Sequence, residues 1–227
     1  MTLPQKLTSP IQTAKDFQAA FDVSRETIDR LEIYAEQLVL WQAKINLVSP
    51  KTLDQAWHRH FADSAQLLSL IPKDAQSWVD VGSGGGFPGL VMAILLSDQD
   101  RKSSPIRVSL VESDSRKAAF LREVARQAMI SVDICNERIE LSTNWDRIRH
   151  KDVYSARAFA PLSRLFRDVS PLFSASSTGF FLKGRSVAEE ITEAQRLWKF
   201  DVQLVESITD PDGRIVVVSN LNAKTEG

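Results

Sequence analysis

The chain has 227 residues, 43% hydrophobic and 25% charged, with a formal net charge of −1, the balance of an ordinary globular protein with room for one sizeable α/β domain and a small appendage. No apolar run reaches the roughly 18 residues that span a bilayer, and the opening MTLPQKLTSPIQTAKDF lacks a signal-peptide core, so a cytoplasmic protein without a membrane partner is expected. A single cysteine, Cys135, excludes an internal disulfide and a cysteine zinc cluster; His58, His60 and His150 lack metal-motif spacing, and no metal is expected.

Residues 1–22 show no clear period and read as a loose lead-in. From Ser24 onward, Ile28, Leu31, Tyr34, Ala35, Leu38 and Val39 recur at helical spacing, with Trp41 and Ile45 following. Thr52-x-x-Gln55 has the form of a capping box, which predicts a second helix carrying Leu53, Trp57, Phe61, Ala65 and Leu68 and closed by Pro72. The rhythm then changes. Ser77–Val81 is a short β run ending in the glycine cluster Gly82–Gly89, and Pro88 suits the first residue of a helix through Leu96, where no donor is needed. Polar residues 97–105 make a loop before the strand Ile106–Val111; Asp114 or Ser115 caps a helix to about Met129. Strands follow at Val132–Cys135, Val153–Ala156 and Phe180–Lys183. Ser186-x-x-Glu189 is a second capping-box pattern, opening a helix to about Phe200. Val202–Ile208 and Ile215–Asn220 form a closing antiparallel pair around Asp210-Pro-Asp-Gly213. Strands alternating with helices imply an α/β fold, a parallel sheet with helices on both faces and one antiparallel edge.

The segment Asp80-Val-Gly-Ser-Gly-Gly-Gly-Phe-Pro-Gly89 lies between a strand and a helix, where open α/β sheets bind nucleotide-like ligands. Its glycines allow positive φ and close backbone approach. A dinucleotide register, G-x-G-x-x-G at Gly84, Gly86 and Gly89, puts Pro88 in the pyrophosphate-facing turn and removes a donor there. Read from the strand end, the pattern is D-x-G-x-G-x-G from Asp80 to Gly86, which resembles the S-adenosylmethionine loop of class I methyltransferases. There the acidic residue helps hold the methionine amino group. Glu112, ending the next strand, is placed to accept both ribose hydroxyls of an adenosine. Charge is uneven as well. Residues 138–185 carry nine basic against four acidic side chains, and residues 186–227 four against eight; a local basic surface of that kind recruits a polyanion, unless it is merely a solvated face.

Six segments in order, Asn46-Leu-Val-Ser49, Arg59-His-Phe-Ala-Asp-Ser64, DVGSGGGFPG, Glu137-Arg-Ile-Glu140, Ser155-Ala-Arg-Ala-Phe-Ala160 and Leu182-Lys-Gly184, resemble the glucose-inhibited division protein B family, the 16S rRNA guanosine-N7 methyltransferases. The resemblance covers about residues 25–220. It implies a class I (Rossmann-like) methyltransferase sheet over 76–227 with a helical N-terminal region over 1–75. It implies S-adenosylmethionine as cofactor, 16S rRNA or the small ribosomal subunit as partner, and a monomer. It also implies that Gly82, Phe87, Ile139, Glu140 and Arg157 join Asp80, Gly84, Gly86 and Glu112 around the cofactor. The loop between residues 97 and 105 is longer than the family pattern.

Residue chemistry agrees with N7 transfer. Guanine N7 has an in-plane lone pair and no proton, so transfer needs alignment and desolvation, not a general base. Cys135 follows a strand, away from the loops expected to carry out a cysteine-dependent C5 transfer, and Ser155-Ala-Arg-Ala158 stands where adenine-N6 enzymes resemble one another in an Asn/Asp-Pro-Pro-aromatic tetrapeptide. Arg157 is assigned to positioning guanine O6 or a cofactor carboxylate, against an ion pair to Glu140 or Asp152. Arg138 and Lys183 are placed at RNA phosphates, ahead of Arg164, Arg167 and Arg185. His60 and Asp63 are expected to brace the glycine loop, and Phe159 to stack on a flipped base or join the core. Methylation of a small molecule or protein, a nicotinamide oxidoreductase, and a non-catalytic binding module remain as alternatives.

Overall fold

The computed structural model describes residue 7 and residues 9–97, 105–139 and 145–224. Seven strands form one sheet in the order β3-β2-β1-β4-β5-β7-β6. They are β1 (Ser77–Val81), β2 (Arg107–Val111), β3 (Asp133–Cys135), β4 (Val153–Arg157), β5 (Thr178–Lys183), β6 (Trp198–Glu206) and β7 (Arg214–Ala223). The first five are parallel, and β7 runs antiparallel to both β5 and β6. Strand order reverses between β1 and β4, so the carboxyl ends of these two strands open a crevice, the place where open α/β sheets bind ligands.

Side chains on β1 alternate between two cores, as the period of two requires. Trp78 packs with the helices α1 (Ala14–Phe21), α2 (Arg25–Gln42), α3 (Gly89–Ser97) and α4 (Ser115–Gln127). Val79 and Val81 face the other side, with α6 (Leu162–Val169) and α7 (Val187–Leu197). A one-turn helix, α5 (Trp145–Ile148), precedes β4. Residues 89–96 of α3 are apolar on every side and all buried, so this helix needs cover on both flanks. The sheet supplies one and α2 with the following segment the other.

The sequence reading and the structure part in four places. Within the lead-in, Thr13 and Asp16 form a reciprocal capping box that starts α1, whose Phe17 and Phe21 are fully buried. The single helix expected from Thr52 is instead broken: a 3-10 turn (Pro50–Gln55), a π-helical stretch (Trp57–Ala62), one α turn (Asp63–Ala65) and a second 3-10 turn (Gln66–Leu70). The Thr52 hydroxyl caps nothing, because it donates to Ser49 O (2.9 Å) and meets His60 Nε2 (2.9 Å). Ser186 likewise makes no cap; its hydroxyl donates to Glu190 at 3.2 Å. Finally, α7 stops at Leu197, since Trp198 and Phe200 alternate along β6 and pack edge-on against Phe166, with Phe200 4.9 Å from it. Elsewhere α3 begins at Gly89, one residue after the expected Pro88, whose carbonyl accepts Met92 N–H. Asp114 caps α4 as expected, accepting the amides of Arg116 and Lys117. The long loop read between residues 97 and 105 falls largely outside the described residues.

Gly89 marks how tightly α3 lies on the sheet. A Cβ there would stand 2.4 Å from Asp80 Cβ and 2.5 Å from Leu110 Cδ2. Gly89→Ala is therefore expected to cost about 1–3 kcal/mol by overpacking, measured by urea unfolding.

Candidate active site

The glycine loop turns through three left-handed residues, Gly82 (φ 66°), Gly84 (φ 56°) and Gly86 (φ 90°). Its start is tied to the sheet and its turn closes on itself. Ser83 N–H donates to Val111 O and Gly86 N–H to Ser83 O. Beneath the loop lies Asp80, with no exposed surface; its Oδ1 accepts the Ser155 hydroxyl at 2.6 Å, and Ser155 Oγ accepts Trp78 Nε1–H at 2.8 Å. Asp80 Oδ2 is buried without a hydrogen-bond partner, and burial raises this carboxyl to a pKa of about 6. On the α2 side, the Tyr34 hydroxyl donates to Gly85 O while its ring stacks on Phe87 at 5.1 Å.

Glu112 stands at the tip of β2, as expected. Its Oε2 accepts Gly84 N–H at 2.8 Å and its Oε1 accepts Asp114 N–H at 2.7 Å, so the carboxylate is fixed beside the loop. A Cβ built on Gly84 would meet nothing nearer than Gly82 O at 3.7 Å. That face of the loop is open, and a side chain there would fill it. Next to it lies a cavity of about 250 Å³ lined by Gly82, Val111, Ser113, Ile139, Phe159 and Arg138 among others. Ile139 is buried and Arg138 exposed. Glu140 lies outside the described residues.

A larger cleft of about 770 Å³ continues past β4 towards the β6–β7 turn. Arg157 is its centre. Its Nη1 donates to Arg59 O (2.9 Å) and pairs with Asp63 Oδ2 (3.3 Å); its Nη2 donates to His60 Nδ1 (2.9 Å); the guanidinium lies 5.0 Å above the Phe87 ring. Among the described residues the acidic partner is Asp63 and not Asp152; the Asp152 carboxylate instead takes the amides of Gln76 and Ser77 and the Ser77 hydroxyl. The π-helical stretch explains the carbonyl contact. In an α-helix Asp63 N–H would bond Arg59 O, whereas here it reaches His58 O and His60 O, which frees Arg59 O for the arginine.

Since Arg157 donates to Nδ1, His60 carries its proton on Nε2 and donates to Thr52 Oγ1, which donates onward to Ser49 O. Burial, with the Arg157 and Arg59 cations beside it, lowers the His60 pKa to about 3. Asp63 is also bound by Thr209 Oγ1 of the β6–β7 turn at 2.7 Å and by Gln66 Nε2 of its own segment at 2.8 Å. His60 and Asp63 therefore brace Arg157, and His60 reaches the loop through Phe87, 5.0 Å away.

Lys183 lines the cleft but is engaged within the chain, donating to Ala160 O and pairing with Glu190 at 2.9 Å. Glu190 in turn accepts Leu162 N–H at 2.9 Å. Sequence reasoning missed Lys117 and Arg214 in the cleft wall and the loop contact of Tyr34, which its helical stripe marked only as core.

Five parallel strands and an antiparallel β7 in this order, with a glycine loop after β1 and a carboxylate after β2, define a class I S-adenosylmethionine-dependent methyltransferase. The O-methyltransferase from Bacillus cereus in complex with SAH shares the fold at a TM-score of 0.57 and 14% identity, over 91% of this chain and 96% of that one. Residues 27–215 match the model of the family GidB, rRNA small subunit methyltransferase G, and the chain belongs to that family. It is 46% identical to ribosomal RNA small subunit methyltransferase G of Parvibaculum lavamentivorans over 92% of this chain and 90% of that protein. It is 44% identical to the Rhodospirillum rubrum protein of the same name over 92% and 98%.

Protonation gives the His60 arrangement a measurable signature. Its lowered pKa means that the unfolded chain takes up a proton below about pH 6.5 and the native chain does not until about pH 3. Its contribution to stability is complete above pH 6.5 and is lost as pH falls. Asp80 acts in the opposite sense between its ordinary 3.8 and about 6, but it is common to both proteins compared. Between about pH 7 and pH 5, wild type should lose about 2 kcal/mol more than His60→Asn, read by urea unfolding at the two values.

Proposed function

We propose that this cleft transfers the methyl group of S-adenosylmethionine to N7 of a guanosine in 16S rRNA. The observation that carries the reading is the open glycine loop beside a fixed Glu112, continuous with a cleft centred on Arg157, in a chain of this family. S-adenosylmethionine brings an activated methyl on its sulfonium. The chain supplies position. Glu112 accepts the ribose hydroxyls, Gly82, Gly84 and Gly86 let the backbone approach, and Ile139 lines the cofactor pocket beside Gly82. Asp80 serves from beneath, holding the loop against β4 through Ser155. Phe87 acts through Arg157, which lies over its ring.

Arg157 orients the guanine by O6 or the donor by its carboxylate, its planar fork held by four partners. No group need take a proton, because N7 carries none. Arg138, exposed at the rim, meets backbone phosphate; Lys183, instead, fixes the chain after β4. We assign residues 1–75 to a helical region that completes the cleft and residues 76–227 to the methyltransferase domain. No described helix is long and apolar enough to cross a membrane. We assign the chain to the cytoplasm, acting as a monomer on rRNA or the assembling subunit.

Undermethylated small-subunit RNA incubated with labelled S-adenosylmethionine should yield label in 7-methylguanosine on nucleoside analysis. Label in another nucleoside would overturn the N7 assignment. Gly84→Asp, which places a carboxylate in the open face beside Glu112, should abolish cofactor binding in calorimetry while the protein still folds. Arg157→Lys keeps the charge beside Asp63 but loses the fork; kcat/KM should fall on the order of a hundredfold with little change in Tm.

A further inference from the structure

We infer that Phe159 is a two-position residue, lying on Gly82 until the methyl donor displaces it and then stacking on the guanine in the larger cleft. The inference rests on the reading of the site as a donor cleft. Three observations carry it.

The ring sits where the donor must pass. A Cβ on Gly82 would stand 2.2 Å from Phe159 Cδ2 and 2.8 Å from Cε2, so the phenyl group covers the glycine whose bareness a ligand needs. Among the described residues, Phe159 is common to the lining of both cavities, the 250 Å³ one beside Ile139 and the 770 Å³ one around Arg157. A ligand reaching from Glu112 to Arg157 crosses the position of that ring.

The chain around it is built with two fixed posts. Arg157 is clamped on one side; Ala160 O is held by Lys183 and Leu162 N–H by Glu190 on the other. Between the posts stand Ala158 and Phe159 alone. Ala158 already occupies the left-handed region at φ 51° and has the smallest side chain that a hinge can carry besides glycine. Phe159 is only partly buried and has no polar atom, so contact alone keeps it on Gly82.

The displaced ring has a destination with a use. Turning away from Gly82 takes it into the larger cleft, whose wall it already forms. An enzyme that works on a base takes it out of its stack, and an aromatic face replaces the lost stacking. Donor binding would thereby prepare the RNA site, and the donor's apparent affinity would carry the cost of moving the ring.

The test is a titration of S-adenosylhomocysteine, which binds without reacting, into wild type, Phe159→Ala and Phe159→Leu, followed by RNA affinity at saturating S-adenosylhomocysteine. Phe159→Ala should bind S-adenosylhomocysteine about threefold or more tighter and undermethylated small-subunit RNA about tenfold weaker. Phe159→Leu keeps bulk over Gly82 and loses the π face; it should bind RNA as weakly as Phe159→Ala, with S-adenosylhomocysteine affinity within about twofold of wild type. Opposite movements for the two ligands are what a merely structural phenylalanine does not produce. Unchanged or weaker S-adenosylhomocysteine binding by the folded alanine variant, or unchanged RNA binding by both variants, overturns the inference. Wild type that binds no S-adenosylhomocysteine overturns the donor-cleft reading itself, and the inference with it.

Discussion

The site depends on one side chain from β4 being held by a segment some hundred residues earlier in the chain. Arg157 has five N–H donors and no acceptor, so a half-buried guanidinium needs acceptors arranged around it. The π-helical stretch provides a carbonyl that an α-helix would have used internally, His60 a neutral imidazole nitrogen, Asp63 a carboxylate, and Phe87 a ring face. None of these acceptors belongs to the sheet. A helical N-terminal region is therefore part of the site and not an ornament on it. The His60 pKa follows from the same arrangement: two guanidinium groups and burial hold the ring neutral, and only the neutral ring has a lone pair to give Arg157.

The glycine loop is braced from two directions. From below, the Asp80–Ser155–Trp78 chain ties β1 to β4 across the switch point, where their register pairs Asp80 with Ser155. An acid with a raised pKa is an expensive brace, and half of it lacks a partner. Helix α3 lies close over it, since a Cβ on Gly89 would stand 2.4 Å from Asp80 Cβ. From the side, Tyr34 stacks on Phe87 and bonds Gly85 O. The loop keeps its left-handed turns because both supports are rigid, and Glu112 adds a third tie to Gly84.

Most of the sheet could be read from residues because its signals are local and repeated. Period-two runs marked the strands, the glycine cluster marked the turn after β1, and Asp114 marked the start of α4. What escaped was decided by partners that the patterns do not specify. Thr52 and Ser186 fit a capping pattern, yet each hydroxyl has another partner, His60 eight residues on and Glu190 four residues on. The π-helical register of residues 57–62 has no sequence mark, and without it the partner of Arg157 stays ambiguous among the nearby acids. Thr13 and Asp16 formed a legible box, but the eight-residue helix behind it is too short to show a period. In the site, Glu112 and the glycines lie where the pattern puts them, whereas Lys183, which the pattern places at phosphate, is held by Ala160 O and Glu190.

Electrostatics then separates the interior of the cleft from its rim. Four of the five Lys and Arg side chains lining the larger cleft pair with carboxylates, Arg59 with Asp210, Arg157 with Asp63, Lys183 with Glu190 and Arg214 with Glu206. Arg138 and Arg164 stand exposed at the edge of the smaller cavity, on the basic stretch of the sequence. Methylation at N7 leaves the guanine with a positive charge, so an unmatched cation in the interior would oppose the transition state, whereas a matched one orients without net repulsion. Exposed cations at the rim lie where charge steers a polyanion, which raises encounter rates without contact to the base that reacts. The weak net charge of the chain is thus compatible with an RNA substrate, because what matters is where the exposed positive charge lies.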